Sequence, residues 1–141
     1  DGTLHRNRIN YTGYDISPGL IAAAKKKYPE AKLEVKDILE DRYVQKADYI
    51  FCSGVFNLRT AERDEHLEFV KEMLFRLYDL CAGGLAVNFL SEGGLPGNNE
   101  SEERYFYFSP EVITNFCRFI CGRYILRHDY HPGDFTLYLL K

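Results

Sequence analysis

The chain has 141 residues and a formal net charge of −3, a length that suits one domain built round one core. With 45% hydrophobic and 15% aromatic residues it reads as a packed globular protein and not as a disordered one. Nucleic-acid-binding domains are usually basic, with clustered Lys and Arg. Here the balance is acidic, so no nucleic-acid partner is expected. The basic run Lys25-Lys26-Lys27 closes a predicted helix, where it complements the helix dipole.

No apolar stretch approaches the ~18–20 residues that span a bilayer. No signal-peptide pattern opens the chain, and no membrane partner is expected. Cys52, Cys81, Cys117 and Cys121 fall within apolar strand or helix patterns. Scattered buried thiols suit a reducing compartment, which predicts a cytoplasmic location. Cys117 and Cys121 share a helix face without a second ligand pair nearby, so no zinc site is expected.

In chain order, Asn10–Asp15 reads as a strand that ends abruptly in an acid, and Ser17-Pro18 then start a helix. Serine suits the N-cap and proline the first helical position, where its missing N–H costs nothing. The helix over Ser17–Tyr28 places Leu20, Ile21, Ala24 and Tyr28 on one face and stops at Pro29. Lys32–Lys36 alternates polar and apolar residues as a short strand and runs into Asp37-Ile38. Ala47–Ser53 is a near-continuous apolar run, the pattern of a strand buried on both faces.

From about Asp64, the spacing of Leu67, Val70, Leu74, Leu77 and Cys81 predicts a long amphipathic helix, stopped by Gly83-Gly84. Leu85–Leu90 then reads as a buried strand. Ser91–Arg104, punctuated by Gly93-Gly94, Pro96-Gly97 and Asn98-Asn99, reads as a mobile loop of the kind that serves as a lid. Ser109-Pro110 starts a last helix, with Ile113, Phe116, Cys117 and Ile120 on its buried face and Gly122 at its end. Tyr124–Tyr130 and Phe135–Leu140 flank His131-Pro132-Gly133-Asp134, a hairpin with Pro-Gly in a type II turn. No internal repeat or domain boundary is evident, so residues 1–141 are read as a single domain.

Strands joined through helices are parallel neighbours, whereas the terminal hairpin adds an antiparallel strand. The expected class is therefore α/β: a Rossmann-like, mostly parallel sheet with helices on both faces and an antiparallel C-terminal hairpin. In open α/β sheets ligands bind outside the carboxyl ends of the strands, where an acid can accept hydrogen bonds from a ribose. Asp15 stands at such an end; the alternative is an ordinary capping aspartate.

Taken together, YTGYD, Asp37-Ile38, ADYIFCSGVFN and the terminal hairpin resemble the class I S-adenosylmethionine-dependent methyltransferases over essentially the whole chain. More narrowly, SGVFNLR, NFLS and LRHDYHPGDFTLYL resemble a bacterial subgroup of that family. The resemblance implies a seventh strand lying antiparallel between the fifth and sixth, and S-adenosylmethionine as cosubstrate. It implies that Asp15, with Ile16 beside it, holds the ribose hydroxyls, that Asp37 and Ile38 border the adenine, and that Ser53, Gly54 and Val55 lie beneath the sulfonium. Asn57 and Arg59 would face a small-molecule or cell-envelope-precursor acceptor, with Tyr130 in the same pocket. The alternatives are a turn-stabilising Asn57 and a solvent-facing Arg59. Tyr11, Tyr14, Tyr105 and Tyr107 are read as core or sheet aromatics, and His128, Asp129 and His131 as hairpin polar groups.

One departure stands out. The family's first strand and glycine-rich turn have no counterpart in this sequence, so the chain reads as an N-terminally incomplete member, inactive by itself. Loss of a strand between the second and fourth would leave two open apolar edges, which recruit other chains. A homo-oligomer, possible through domain swapping, is therefore expected. Two other functions stay open: a catalytically inactive methyltransferase-like scaffold or dimerisation domain, and an NAD-dependent oxidoreductase.

Overall fold

A computed structural model describes residues 9–95 and 103–141. The chain divides into two compact units, Asp1–Arg42 and Tyr43–Lys141. The lid expected over Ser91–Arg104 lies in part outside the described residues, as do the first eight residues of the chain.

The first unit is a single parallel strand–helix–strand turn. Strand β1 (Thr12–Asp15) pairs with β2 (Lys32–Val35), and α1 (Pro18–Lys27) joins them. Ser17 caps α1 by accepting a hydrogen bond from the Leu20 N–H at 3.3 Å, and Pro18 occupies the first turn. The lysines fill the last turn as expected. Of the predicted apolar face only Ile21 is buried, whereas Leu20 and Tyr28 remain exposed. A two-stranded sheet is too narrow to cover a whole helix face.

The second unit carries the larger core. Its elements are β3 (Ala47–Ser53), α2 (Arg63–Leu80), β4 (Cys81–Leu90), α3 (Pro110–Ile120), β5 (Arg123–His131) and β6 (Asp134–Leu140). The strand order is β3-β4-β6-β5, with β3 parallel to β4 and β6 antiparallel to both its neighbours. The last strand thus lies between the two before it, as the resemblance implies. Alternation puts Leu85, Val87 and Phe89 of β4 and Phe135, Leu137 and Leu139 of β6 on one buried face. From α2 come Val70, Met73, Leu74, Leu77 and Leu80, and from α3 come Ile113 and Cys117. Full burial of each such side chain is worth about 1.5–3 kcal/mol.

Three expectations are corrected here. Helix α2 ends at Leu80 and β4 begins at Cys81, so Gly83-Gly84 lie inside the strand and do not stop the helix. A β-carbon on Gly83 would stand 2.9 Å from Tyr49 Cε1 and 3.0 Å from the Asp48 carbonyl oxygen. Glycine there lets β4 approach β3 where the register of β3 shifts, between Ala47 and Tyr49. Secondly, β3 is an edge strand of its sheet and not one buried on both faces. Tyr49 is 65% exposed and Phe51 78%.

The third correction concerns the Pro132-Gly133 turn, which joins β5 to β6 directly, with His131 opposite Asp134. Gly133 has no positive φ, so the turn is not type II. The packing demand at this turn falls on Gly94 instead. A short 3-10 turn, Glu92–Gly94, lies against the hairpin, and a β-carbon on Gly94 would fall 2.2 Å from Gly133 Cα. The Ser91 N–H donates to the Gly133 carbonyl at 2.8 Å in the same contact. Gly94→Ala should therefore cost about 1–3 kcal/mol, the penalty of overpacking. Gly122→Ala, where a β-carbon meets nothing within 4 Å, is the control. Urea unfolding of both variants checks this, with the midpoint falling for Gly94→Ala only.

Candidate functional site

In the first unit the parallel pairing of β1 and β2 brings Asp15 and Asp37 to the same carboxyl edge. Asp15 stands opposite Val35, and its carbonyl accepts from the Lys36 N–H at 3.0 Å. The Asp15 Oδ1 accepts from the Ser17 N–H at 2.8 Å, which fixes the carboxylate at the mouth of the strand-to-helix turn. Asp37 Oδ1 accepts from the Leu39 and Glu40 N–H groups at 3.0 and 3.3 Å and so closes the turn after β2. Ile16 is exposed and Ile38 half-buried. These four residues are brought to one edge of the unit.

In the second unit Ser53, Gly54 and Val55 leave the carboxyl end of β3, all exposed. Gly54 has φ +72°, a left-handed conformation that favours glycine, and its carbonyl accepts from the Asn57 N–H at 3.3 Å. Asn57 Oδ1 accepts from the Leu90 N–H at 3.1 Å, so this side-chain oxygen ties the β3–α2 loop to the end of β4. Of the two readings of Asn57, the geometry supports the turn-stabilising one. Tyr130 does not join this group. Its hydroxyl bonds Thr136 Oγ1 at 2.7 Å and accepts from Asn88 Nδ2 at 3.2 Å, on the face of the sheet opposite the Phe89 side. Nearby His128 bonds the Pro132 carbonyl oxygen, and His131 Nδ1 accepts from the Gly133 N–H, as hairpin polar groups do.

A cleft of about 100 Å³ opens beyond the carboxyl ends of β3 and β4, lined by Arg59, Arg63, Glu92, Leu95 and Tyr105–Tyr107. Its walls are stitched by backbone hydrogen bonds. Arg59 N–H donates to the Arg104 carbonyl, Phe106 N–H to Asn57, Phe108 N–H to Leu90, and Glu92 N–H to Phe108, at 2.8–3.0 Å. Around residue 106 the chain alternates: Phe106 and Phe108 are buried, while Tyr105 and Tyr107 are half-buried against the cleft. The two tyrosines read as core aromatics therefore line a small opening. Arg63 pairs with Glu92 at 2.9 Å and lies over the Phe106 ring at 5.3 Å, while Arg59 reaches Glu62 at 3.7 Å.

Beneath the cleft lies His66, which the sequence pattern did not single out because a histidine does not count in an apolar stripe. It is buried and stacked on Phe106 with ring centroids 4.4 Å apart. Its Nε2 donates to the Phe56 carbonyl at 2.9 Å, which leaves Nδ1 to accept from the Thr60 hydroxyl at 3.1 Å. Burial pushes its pKa below the ordinary 6.5, against the Phe56 hydrogen bond and with a smaller push from Arg59. His66 is thus a neutral brace between the β3–α2 loop and the cleft floor. Burial also raises the Cys52 and Cys117 thiols to about 11 and about 12, so both stay protonated and unreactive near neutrality. Among the described residues there is no metal-binding cluster, and no helix is long and apolar enough to cross a membrane.

This strand order, with its antiparallel last strand, is the class I methyltransferase fold, and the chain has that fold. No family model matches it. Over 136 residues it is 26% identical to the Mycobacterium tuberculosis protein named "Putative methyltransferase Rv1506c", covering 95% of this chain and 80% of that protein. Among solved structures it is similar to magnesium protoporphyrin IX methyltransferase from Synechocystis with bound S-adenosylhomocysteine. That match has a TM-score of 0.68 at 17% identity, over 92% of this chain. The chain spans 63% of that enzyme's length. An S-adenosylmethionine-dependent methyltransferase from Clostridium acetobutylicum matches with a TM-score of 0.66 at 14% identity, over 94% of this chain and 75% of that one.

Two predictions follow from the brace and the tie. Asn57→Ala removes the acceptor for the Leu90 N–H and should cost about 1–2 kcal/mol, with less loss for Asn57→Asp, which keeps an acceptor. Chemical denaturation of the two variants distinguishes them. For His66, whose folded pKa is lowered, the stabilisation is present above the unfolded value of 6.5 and is lost as pH falls below it. Thermal midpoints at pH 7.5 and 5.5 should drop further for the wild type than for His66→Gln, and equal drops would contradict the assignment.

Proposed function

We propose that the protein is an S-adenosylmethionine-dependent methyltransferase acting on a small-molecule acceptor. The observation that carries this is the fold with its ordered carboxyl-end acids. The residues present suit the cosubstrate. Asp15 is an acid fixed at a strand's carboxyl end by a single backbone N–H, which leaves acceptor capacity for ribose hydroxyls. Gly54, at φ +72°, lets the chain turn sharply after β3 with no side chain over the backbone. S-adenosylmethionine, when bound, supplies a methyl group on a sulfonium.

The protein's share of such a reaction is alignment and exclusion of water. Within the first unit Asp15 and Ile16 hold the ribose, and Asp37 and Ile38 border the adenine. The nucleophile belongs to the acceptor, and no buried base is required unless the acceptor must lose a proton. His66 is unsuited to that task, because its imidazole is neutral, enclosed and already bonded at both nitrogens. The similar structures named above are methyltransferases, which leaves the nicotinamide and scaffold readings without support.

Calorimetric titration with S-adenosylhomocysteine, S-adenosylmethionine and NAD tests the reading. The expected outcome is binding of the first two and not of NAD. Asp15→Ala should weaken that binding by about 1–3 kcal/mol through loss of charge-assisted hydrogen bonds. Affinity unchanged by this substitution would reject the ribose assignment. Self-association is part of the same proposal. Among the described residues β1 pairs only with β2, and β3 only with β4. Each has a bare edge with exposed aromatics beside or on it: Tyr11 by β1, Tyr49 and Phe51 on β3. Sedimentation equilibrium at micromolar concentration should show a dimer or larger species, and a clean monomer would refute it.

A further inference from the structure

Helices α2 and α3 lie side by side over the second unit's sheet, with Lys71 of α2 standing 6.0 Å from the ring centre of Phe116 of α3. They lead into β4 and β5, which run the same way because β6 is antiparallel to both, so the two helices are parallel. One turn beyond the Lys71–Phe116 contact, Phe75 of α2 and Phe119 of α3 therefore come level. Phe75 is 63% exposed and Phe119 89%. Val112, one turn before Phe116, is exposed as well. The core draws on the other faces of both helices, through residues such as Leu74 and Cys117. These phenylalanines thus form an outward apolar patch that the fold does not use, and such patches mark interaction surfaces.

The two walls of the groove between the helices differ in character. On α2 one exposed stripe carries Glu65, Glu68, Glu72, Phe75 and Asp79, at steps of three, four, three and four residues. On α3 Val112, Phe116 and Phe119 follow at steps of four and three. Lys71, between the stripes, is paired with Glu68. From this arrangement we infer that the α2–α3 groove is the docking site for a basic amphipathic helix of another protein. The apolar residues of that helix seat against Phe75, Phe116 and Phe119, and its Lys or Arg side chains meet the α2 carboxylates. Ridges spaced at three and four residues accept a helix between them. At 1.5 Å per residue the α2 stripe runs for about 21 Å, the length of about four helical turns. A second copy of the chain is a poorer occupant, because it brings another carboxylate stripe and no basic one to meet it. An anionic membrane surface is repelled by the same stripe. The inference stands apart from the cosubstrate reading and from the bare strand edges.

A synthetic helix of about fourteen residues, with leucines at heptad spacing and lysines on both flanks, is the probe. It is labelled and titrated with the whole chain by fluorescence anisotropy. One control carries glutamate for every lysine, and a second has the same composition in scrambled order. The lysine helix should bind, and both controls should bind at least about tenfold more weakly. Phe119→Ala and Phe75→Ala should each weaken the lysine helix by about fivefold or more, through loss of an aromatic anchor. Glu72→Lys should weaken it by about threefold or more, by reversing a charge on the wall. Phe51→Ala, an equally exposed aromatic on β3, should leave it unchanged. Circular dichroism checks the fold of each variant; if Phe75→Ala loses it, Phe119→Ala and Glu72→Lys decide. No binding of the lysine helix, equal binding of the scrambled one, or binding unmoved by both Phe119→Ala and Glu72→Lys would overturn the inference. Self-association that falls with Phe119→Ala in sedimentation, while the lysine helix does not bind, would overturn it too and make a second copy the occupant.

Discussion

The second unit depends on how the carboxyl end of β4 is held. Within two residues the backbone there takes hydrogen bonds from three directions. Leu90 N–H donates to Asn57 and its carbonyl accepts from Phe108, while the Ser91 N–H donates to Gly133 in the hairpin turn. Buried backbone groups left unpaired cost about 1–3 kcal/mol each, so the three segments that meet here cannot drift apart without that penalty. The β3–α2 loop, the extended segment 105–108 before α3 and the β5–β6 hairpin are thus all referenced to one point. Every residue lining the cleft belongs to one of these segments, to the turn after β4, or to the first turn of α2.

An aromatic stack runs beneath that junction. Phe135 of β6 lies on Phe89 at 5.2 Å, Phe89 on Phe56 at 5.9 Å and against Phe108 at 4.9 Å, and Phe108 leads through Phe106 to His66. Apart from Phe106 and Phe108, which share one segment, each member comes from a different stretch of chain. Aromatic pairs at these separations add about 0.5–1.5 kcal/mol beyond area burial, but their larger effect is geometric. Flat, stiff side chains with two torsions leave little freedom to the loops that carry them. The His66 imidazole completes the stack while satisfying a backbone carbonyl that no strand or helix reaches.

Local chemistry made most of the architecture legible. Ser17-Pro18 and Ser109-Pro110 start helices with the expected caps, and the alternation of β4 and β6 locates their buried faces. The errors share one cause: glycines and apolar runs were read for what they do alone, whereas their roles here are set by a neighbour. Gly83 admits Tyr49, and Gly94 admits Gly133. Ala47–Ser53 is apolar enough for a central strand yet lies at an edge of its sheet. The strand-end positions of Asp15 and Asp37 are legible because strand ends leave a local mark. The Asn88–Thr136 setting of Tyr130 depends on a register shift between Arg127 and His131, which no local pattern reveals. The cleft was invisible because Arg59, Glu92 and Tyr105 are brought together only by tertiary pairing.

Charge distribution separates the two kinds of site. The strand-end acids of the first unit are capping carboxylates that keep acceptor capacity, which suits hydroxyl donors such as a ribose. In the cleft of the second unit each arginine is already met by a carboxylate, Arg59 by Glu62 and Arg63 by Glu92, so its charges serve to hold the loop and the first turn of α2 in place.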